Sequence, residues 1–275
     1  MILAGKDFRA PHPALGAATL IAIALAAPLA GCKNNTSSAA TPERRVGKPP
    51  VVIAQYAPED PRAADPLTSP VWQNAAWWTL SAPANTTHTT TPGKAALLFD
   101  DAALYVAVIC DLPASADPDG PADPDGRDGI SLFLDPKGQG RELLQVSADS
   151  TGTTHCAWIR TSAAIEPLED GSPNLGFPLD VRPDCQFPGL DAQVRRGILN
   201  GRPVWTLQLA VPVAGMPALM QALPAPDAPW KFNILRTCLT GTGGQREILQ
   251  SNLSPVHVNA QSVSPYRMAE LDFAR

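Results

Sequence analysis

Short apolar runs broken by polar turns dominate the hydrophobic pattern of this chain. Ala95 to Phe99 and Leu104 to Cys110 are rich in Leu, Val and aromatic residues. Only Asp100, Asp101 and two alanines separate them, which predicts a tight hairpin. Ile130 to Leu134 is a third run of the same kind, and Arg141 to Ala148 with Thr153 to Ile159, around a turn at Asp149 to Gly152, predicts a second hairpin. Ala192 to Arg195 and Pro203 to Val211 also read as strands. In the longer one Trp205, Leu207, Leu209 and Val211 form the core face, and Val204, Thr206, Gln208 and Ala210 the other. Trp230, Phe232 and Ile234 share a face of the run Trp230 to Arg236, so Trp205 and Trp230 are expected in the core framework. Pro212 ends its strand, and Met216 to Leu223 is expected as a short helix.

Between these runs the chain is loop. Asp111 to Gly129 reads DLPASADPDGPADPDGRDG, a proline-broken stretch carrying Asp111, Asp117, Asp119, Asp123, Asp125 and Asp128, which must lie at the surface. Thr161 to Pro188 is longer than ordinary connections and lacks apolar periodicity, which points to a functional or disulfide-pinned excursion. The 30 prolines in 275 residues are about 11% of the chain, roughly twice the usual share, so long helices are disfavoured. With no internal repeat and no second linker, the pattern predicts an all-β chain with one domain over residues 56–275.

The amino terminus changes the compartment. Lys6 and Arg9 precede an alanine-rich apolar run from Ala14 to Leu29, and LAGC follows at Leu29 to Cys32. This is similar to a bacterial lipoprotein signal, which implies cleavage before Cys32, loss of residues 1–31 and a lipid on the Cys32 thiol. An ordinary signal peptide or an uncleaved anchor is the alternative. Residues 32–55 are assigned to a tether, because Lys33 to about Pro50 is polar and Ser/Thr/Pro-rich and cannot bury enough surface to order itself. The expected location is the cell envelope, lipid-anchored to a bacterial membrane, with the domain exported.

In an exported chain the remaining four cysteines suggest disulfides. Of three possible pairings, Cys156 with Cys185 would pin the long excursion, and Cys110 with Cys238 would join two strand ends. Buried thiols are the alternative. The net charge of −5 and the isolated Arg44/Arg45 and Arg195/Arg196 pairs speak against a nucleic-acid groove. Catalysis is the less favoured reading, since the four histidines and the rest of the chain form no HExxH, GxSxG, P-loop or GxGxxG pattern.

The order of KAALLFDDAALYVAVICD, GISLFLDP, WTLQLAVP, WKFNILR and YRMAELDF, preceded by DPLTSPVWQNAAWWTL with Trp72 and Ala76, resembles carbohydrate-binding module family 9 and its DOMON-related relatives. The resemblance covers roughly Asp65 to Phe273. It implies that residues 56–275 form a single jelly-roll-like antiparallel β-sandwich whose first strand is laid across the core by the Trp72 segment, and a non-catalytic carbohydrate site in which aromatic rings clamp a sugar. Leu253 in NLSP stands where that family has an aromatic, and residues 112–127 hold none, so the clamp is missing or relocated. Trp77, Trp78 and Trp158 are the candidate relocated rings, and Asn233, Arg236 and Gln250 the candidate polar partners. If Trp77 and Trp78 are extended, they point to opposite sides. Asn233 and Arg236 match the family's N-x-x-R positions, which can instead cross-link strands.

The resemblance also implies structural calcium, and Asp117, Asp119, Asp123, Asp125 and Asp128 could offer it several oxygens, a solvated acidic loop being the alternative. A distantly related class of sandwiches binds heme b, for which His257 and Met268 would be the pair, against a structural role for both. Three functions compete: a lipoprotein that binds glycan in carbohydrate catabolism, one that contacts a cell-envelope protein, and an accessory of a glycoside-hydrolase system or a remote hydrolase.

Overall fold

The apolar runs become strands because each alternates side chains across a pleat and is bounded by turn-forming residues. The computed structural model describes residues 48–82, 93–112, 128–138, 142–161, 179–183, 187–215, 229–240, 247–254 and 268–275. In these, thirteen strands follow in chain order: β1 (Val51–Tyr56), β2 (Trp77–Thr79), β3 (Gly93–Phe99), β4 (Ala103–Asp111), β5 (Asp128–Asp135), β6 (Glu142–Asp149), β7 (Thr154–Thr161), β8 (Leu179–Pro183), β9 (Asp191–Leu199), β10 (Arg202–Pro212), β11 (Trp230–Thr240), β12 (Glu247–Asn252) and β13 (Ala269–Ala274). The one α-helix among the described residues, α1 (Pro70–Gln73), is a single turn. The chain is all-β, as its pattern predicts.

The ladder runs β8-β7-β6-β5-β11-β13-β1-β3-β4-β10-β9, with β12 added to β11 and β2 to β3. It folds into two wings, because side chains of β3, β4 and β10 share one buried cluster with those of β5, β6 and β11. That cluster is the inside of the sandwich. Trp205 and Trp230 lie in it, 1% and 0% exposed, with Leu207, Leu209 and Val211 beside Trp205 as the alternation requires. Hairpins set the register. The β9–β10 turn is Asn200-Gly201, both at positive φ (52° and 76°), the conformation that a two-residue hairpin of matching twist demands. At the β6–β7 turn Asp149 Oδ1 accepts from the Thr151 and Thr153 backbone N–H groups at 2.9 Å each.

Three expectations are corrected. The 32–55 tether overlaps β1, where VVIAQY buries Val52 and Ala54 completely and exposes Val51 and Ile53. β1 pairs in parallel with β13 and with β3, so it is the seam between the wings, and the ladder is not antiparallel throughout. A run that starts directly after Pro49-Pro50 carries little local signal, and its stability comes from partners more than forty residues away.

The second concerns the Trp72 segment. Trp72 sits in α1 and packs its 1% exposed indole on the outside of the first wing, over Ala96, Ala107 and Ala210, while the first strand is β1. The small residues make the seat for the large one. Gln208 reaches from the same outer face to the carbonyls of Pro61 and Ala64 at 3.1 and 2.6 Å, pinning this covering segment down. Val204, Thr206, Gln208 and Ala210 are therefore as buried as the inner set, and β4 is covered on both faces.

Third, the irregular excursion from Thr161 to Pro188 includes a strand, β8, paired with β7. The helix expected at Met216 to Leu223 lies outside the described residues.

Candidate functional site

Trp77 and Trp78 fall on β2, and alternation sends them to opposite sides: Trp77 packs with the outer cluster around Trp72, and Trp78 with the inner cluster. Trp77 is committed. Its Nε1 donates to the Trp72 carbonyl at 2.9 Å, and the Lys94 ammonium lies over its ring, 4.7 Å from the centroid. A face carrying a cation–π partner is not an open stacking platform. Trp78 and Trp158 are half-buried and rest on the inner cluster, Trp78 beside β3 and Trp158 on β7, opposite Leu144 and Arg182. None of the three tryptophans is fully buried, and the structure does not gather them into one group.

The polar candidates divide. Gln250 is half-buried on β12, opposite Thr237. Asn233 is 0% exposed and acts as a strap: its Oδ1 accepts from the Ser254 backbone N–H at 2.9 Å, and its Nδ2 donates to the Ser254 carbonyl at 3.3 Å. Arg236 is 1% exposed. Its Nε donates to Asp128 Oδ1 at 2.9 Å, and its Nη2 donates both to Asp128 Oδ2 at 2.6 Å and to the Asp111 carbonyl at 3.0 Å. Trp205 Nε1 donates to the same Oδ2 at 2.8 Å. The N-x-x-R positions are cross-links in this structure, buried away from any ligand that approaches through solvent.

Asp128 is thereby corrected from its place among the calcium ligands. It opens β5 pointing inwards, and both of its oxygens are engaged by a guanidinium and an indole. A carboxylate so engaged does not fit a cation cage. Asp117, Asp119, Asp123 and Asp125 lie outside the described residues, as do Cys32, Cys185 and His257. Among the described residues no three His, Cys, Asp or Glu side chains cluster as a metal site would need. Met268 is fully buried with Phe133, Leu143, Ile159 and Leu235 on the outside of the second wing.

The expected Cys110–Cys238 disulfide is also corrected: both residues are buried thiols. The strand ends do converge, and the Arg236 side chain links them, bonding the carbonyl of Asp111, next to Cys110, and the carboxylate of Asp128, the strand partner of Cys238. Burial holds the Cys110 thiol far above its ordinary pKa, keeping it protonated. Cys156 is disulfide-bonded, with its partner outside the described residues.

What the residues-first reading missed is the pairing of Arg236 with Asp128, 108 positions apart. A buried arginine inside an apolar strand was the available signal, since such a charge needs an acid within reach.

No family model and no curated protein matches the chain. Among solved structures it is similar to a carbohydrate binding module family 9 domain from Caldicellulosiruptor kristjanssonii in complex with glucose, at 14% identity over 82% of this chain and 96% of that one, with a TM-score of 0.46. It is likewise similar to such a domain from the same organism in complex with cellotriose (15% identity, 81% and 93% coverage, TM-score 0.45). A third likeness is to a candidate carbohydrate-binding protein from Bacteroides uniformis (12% identity, 82% and 100% coverage, TM-score 0.49). Identities this low carry over neither a ligand nor a residue's role.

Proposed function

We propose that the domain binds carbohydrate without chemically altering it, at a surface built around Trp78 or Trp158. The observation that supports this reading most is that both indoles are half-buried: each is held by the inner cluster on one side and partly open on the other. A ring fixed in that way loses little conformational freedom when a sugar stacks on it, and its partial exposure leaves area for the CH groups of a pyranose. Gln250 is the one polar candidate whose side chain is not fully committed to burial. The two family 9 domains similar to this chain hold glucose and cellotriose, which makes these sugars natural first probes.

The test is a glycan array on the soluble domain, followed by tryptophan fluorescence titration with any hit and with cellotriose. Trp158→Ala or Trp78→Ala is expected to weaken binding by about tenfold or more, the loss typical of a stacked aromatic anchor. No binding across the array, with fluorescence unmoved, overturns the proposal in favour of a protein-contact role.

The same reading places the domain at the cell envelope on a lipid at Cys32, motivated by LAGC. Cys32→Ser should move the protein out of the membrane fraction, and retention there defeats the assignment. It also includes a structural calcium held by Asp117, Asp119, Asp123 and Asp125. That idea requires the melting temperature to rise with millimolar calcium and to fall with chelator.

A further inference from the structure

Among the described residues β9 is the longest strand at an end of the ladder: nine residues without a proline, with no described strand beyond it. β8, at the other end, has five and closes on Pro183, which lacks an N–H. Both faces of β9 are taken. Ala192 and Val194 pack on the inner cluster, and Leu67 Cδ1 lies so near the outer face that a Cβ on Gly197 would come within 2.6 Å of it. What remains is the edge. The Asn200-Gly201 hairpin closes on Leu199 opposite Arg202, a pair that exchanges both backbone bonds, and bonded pairs then recur at every second residue, through Gly197, Arg195, Gln193 and Asp191. Ala192 and Val194 therefore aim their N–H and C=O groups away from β10. Pro203 agrees with this parity: opposite Ile198, between two bonded pairs, it turns its carbonyl to the other side, where the Leu112 N–H donates to it at 2.9 Å.

We infer that β9 pairs antiparallel with β9 of a second copy of this chain, about a twofold axis at Gln193, so that the first wing continues across the dimer. The outer row of the strand selects this register. It reads Asp191, Gln193, Arg195, an acid and a base about 13 Å apart along the strand with an amide between them. Within one chain only the amide spans them: Gln193 Nε2 donates to Asp191 Oδ2 at 3.3 Å, and its Oε1 accepts from Arg195 Nη2 at 3.2 Å. Turned about Gln193, Asp191 stands opposite the partner subunit's Arg195, and the same pair recurs by symmetry. These are the close, non-bonded positions of an antiparallel ladder, where opposite charges favour pairing. Turned about Arg195, two guanidiniums would face each other; about Ala192 or Val194, neither charge meets its opposite. In the Gln193 register the outward N–H and C=O of Ala192 meet those of the partner subunit's Val194, and the reverse. The ladder stops at Leu190, whose N–H donates to the Phe187 carbonyl at 3.1 Å. So short a contact makes a weak, concentration-dependent dimer. The inference does not depend on what the domain binds.

The test reads the mass of the full chain by sedimentation velocity from about 1 μM to about 500 μM. Wild type is expected to pass from one chain towards two across that range, and the Ala192 and Val194 amides to exchange more slowly as concentration rises. Asp191→Arg sets arginine against arginine at both outer positions, and Arg195→Asp sets carboxylate against carboxylate. Each variant alone should therefore dimerise about tenfold more weakly or worse. Mixed, the two are complementary at both positions, and association should return to the wild-type level. That rescue is the decisive reading, because neither a folding defect nor contact through another surface, the apolar run near the amino terminus included, produces it. The inference is overturned if wild type stays a single chain throughout, which would leave the edge to a strand of another protein. It is equally overturned if both variants associate as wild type does, or if the mixture associates no better than its parts. Should either variant not fold, the concentration dependence of the two wild-type amides decides alone.

Discussion

The two ends of this sandwich are closed by different physics. At the end where β3 and β13 finish and β11 begins, four rings lock edge to face: Tyr56 on Phe99, Phe99 on Phe273 and Phe273 on Trp230, with centroids 5.5, 5.1 and 5.3 Å apart. Arg275 covers the stack, its guanidinium 4.8 Å from the Tyr56 centroid, and pairs with Asp101. The opposite end is closed by the buried Arg236–Asp128 pair with its indole and carbonyl partners. Ring contacts degrade gradually when one member is trimmed, since much of the packing survives. A buried ion pair does not, because removing one member strands the other charge away from water. One end is tolerant, the other specific.

The largest effect should come from breaking the specific end. Asp128→Ala leaves the Arg236 guanidinium buried without its carboxylate, and is expected to cost about 3–5 kcal/mol in urea denaturation. Replacing both, as Asp128→Leu with Arg236→Met, should recover much of that loss, because no charge is then stranded. A single variant within about 1 kcal/mol of wild type would show the pair to be solvated in solution and would remove the contrast between the ends.

Trimming the tolerant end should do less. Phe99 is 0% exposed and touches two other rings, and Phe99→Leu keeps most of the volume while losing both edge-to-face contacts. The expected loss is roughly 1–2 kcal/mol, read from the same denaturation curves with an unchanged slope. A loss as large as that of Asp128→Ala would mean that the stack is as brittle as the ion pair.

The two ends also differ in how far they can be read from residues. Phe99 and Trp230 lie in alternating apolar runs, and period-two patterning alone assigns them to the core. The same holds for the inner face of β10. Its outer face is a different matter: Thr206 and Gln208 look solvent-facing by alternation, yet the segment carrying Trp72 folds over them, a tertiary event with no local trace. At the specific end the limitation is distance. Asp128 looks like the last carboxylate of an acidic loop, and only the pairing of β11 with β5 brings Arg236 against it. The convergence of the Cys110 and Cys238 strand ends was legible. That an arginine bonds Asp111 and Asp128 there was not, because strand order predicts proximity and says nothing about which side chains bond across it.

The smallest effect tests whether burial, and not the ion pair as such, makes the difference. At the ring-closed end Arg160 donates to Glu142 Oε1 through both Nε and Nη2, at 2.9 and 2.8 Å, and Lys137 lies 3.5 Å from the other carboxylate oxygen. The same two nitrogens of Arg236 donate to Asp128, each to its own oxygen, but the Arg160 side chain is 48% exposed, where that of Arg236 is 2%. The Arg160 hydrogen bond lowers the Glu142 pKa below its ordinary value, against a smaller opposing effect of burial. A carboxylate depressed in the folded state adds stability above its unfolded pKa, and that contribution fades as pH falls through the folded value. Glu142→Gln should therefore be less stable than wild type by only about 0.5 kcal/mol or less near neutral pH, screened further by salt. The two proteins should converge as pH drops below the usual carboxylate range. A difference that persists in acid, or one approaching that of Asp128→Ala, would show that an arginine–carboxylate contact carries the energy wherever it lies, and that its removal from water at the other end adds nothing.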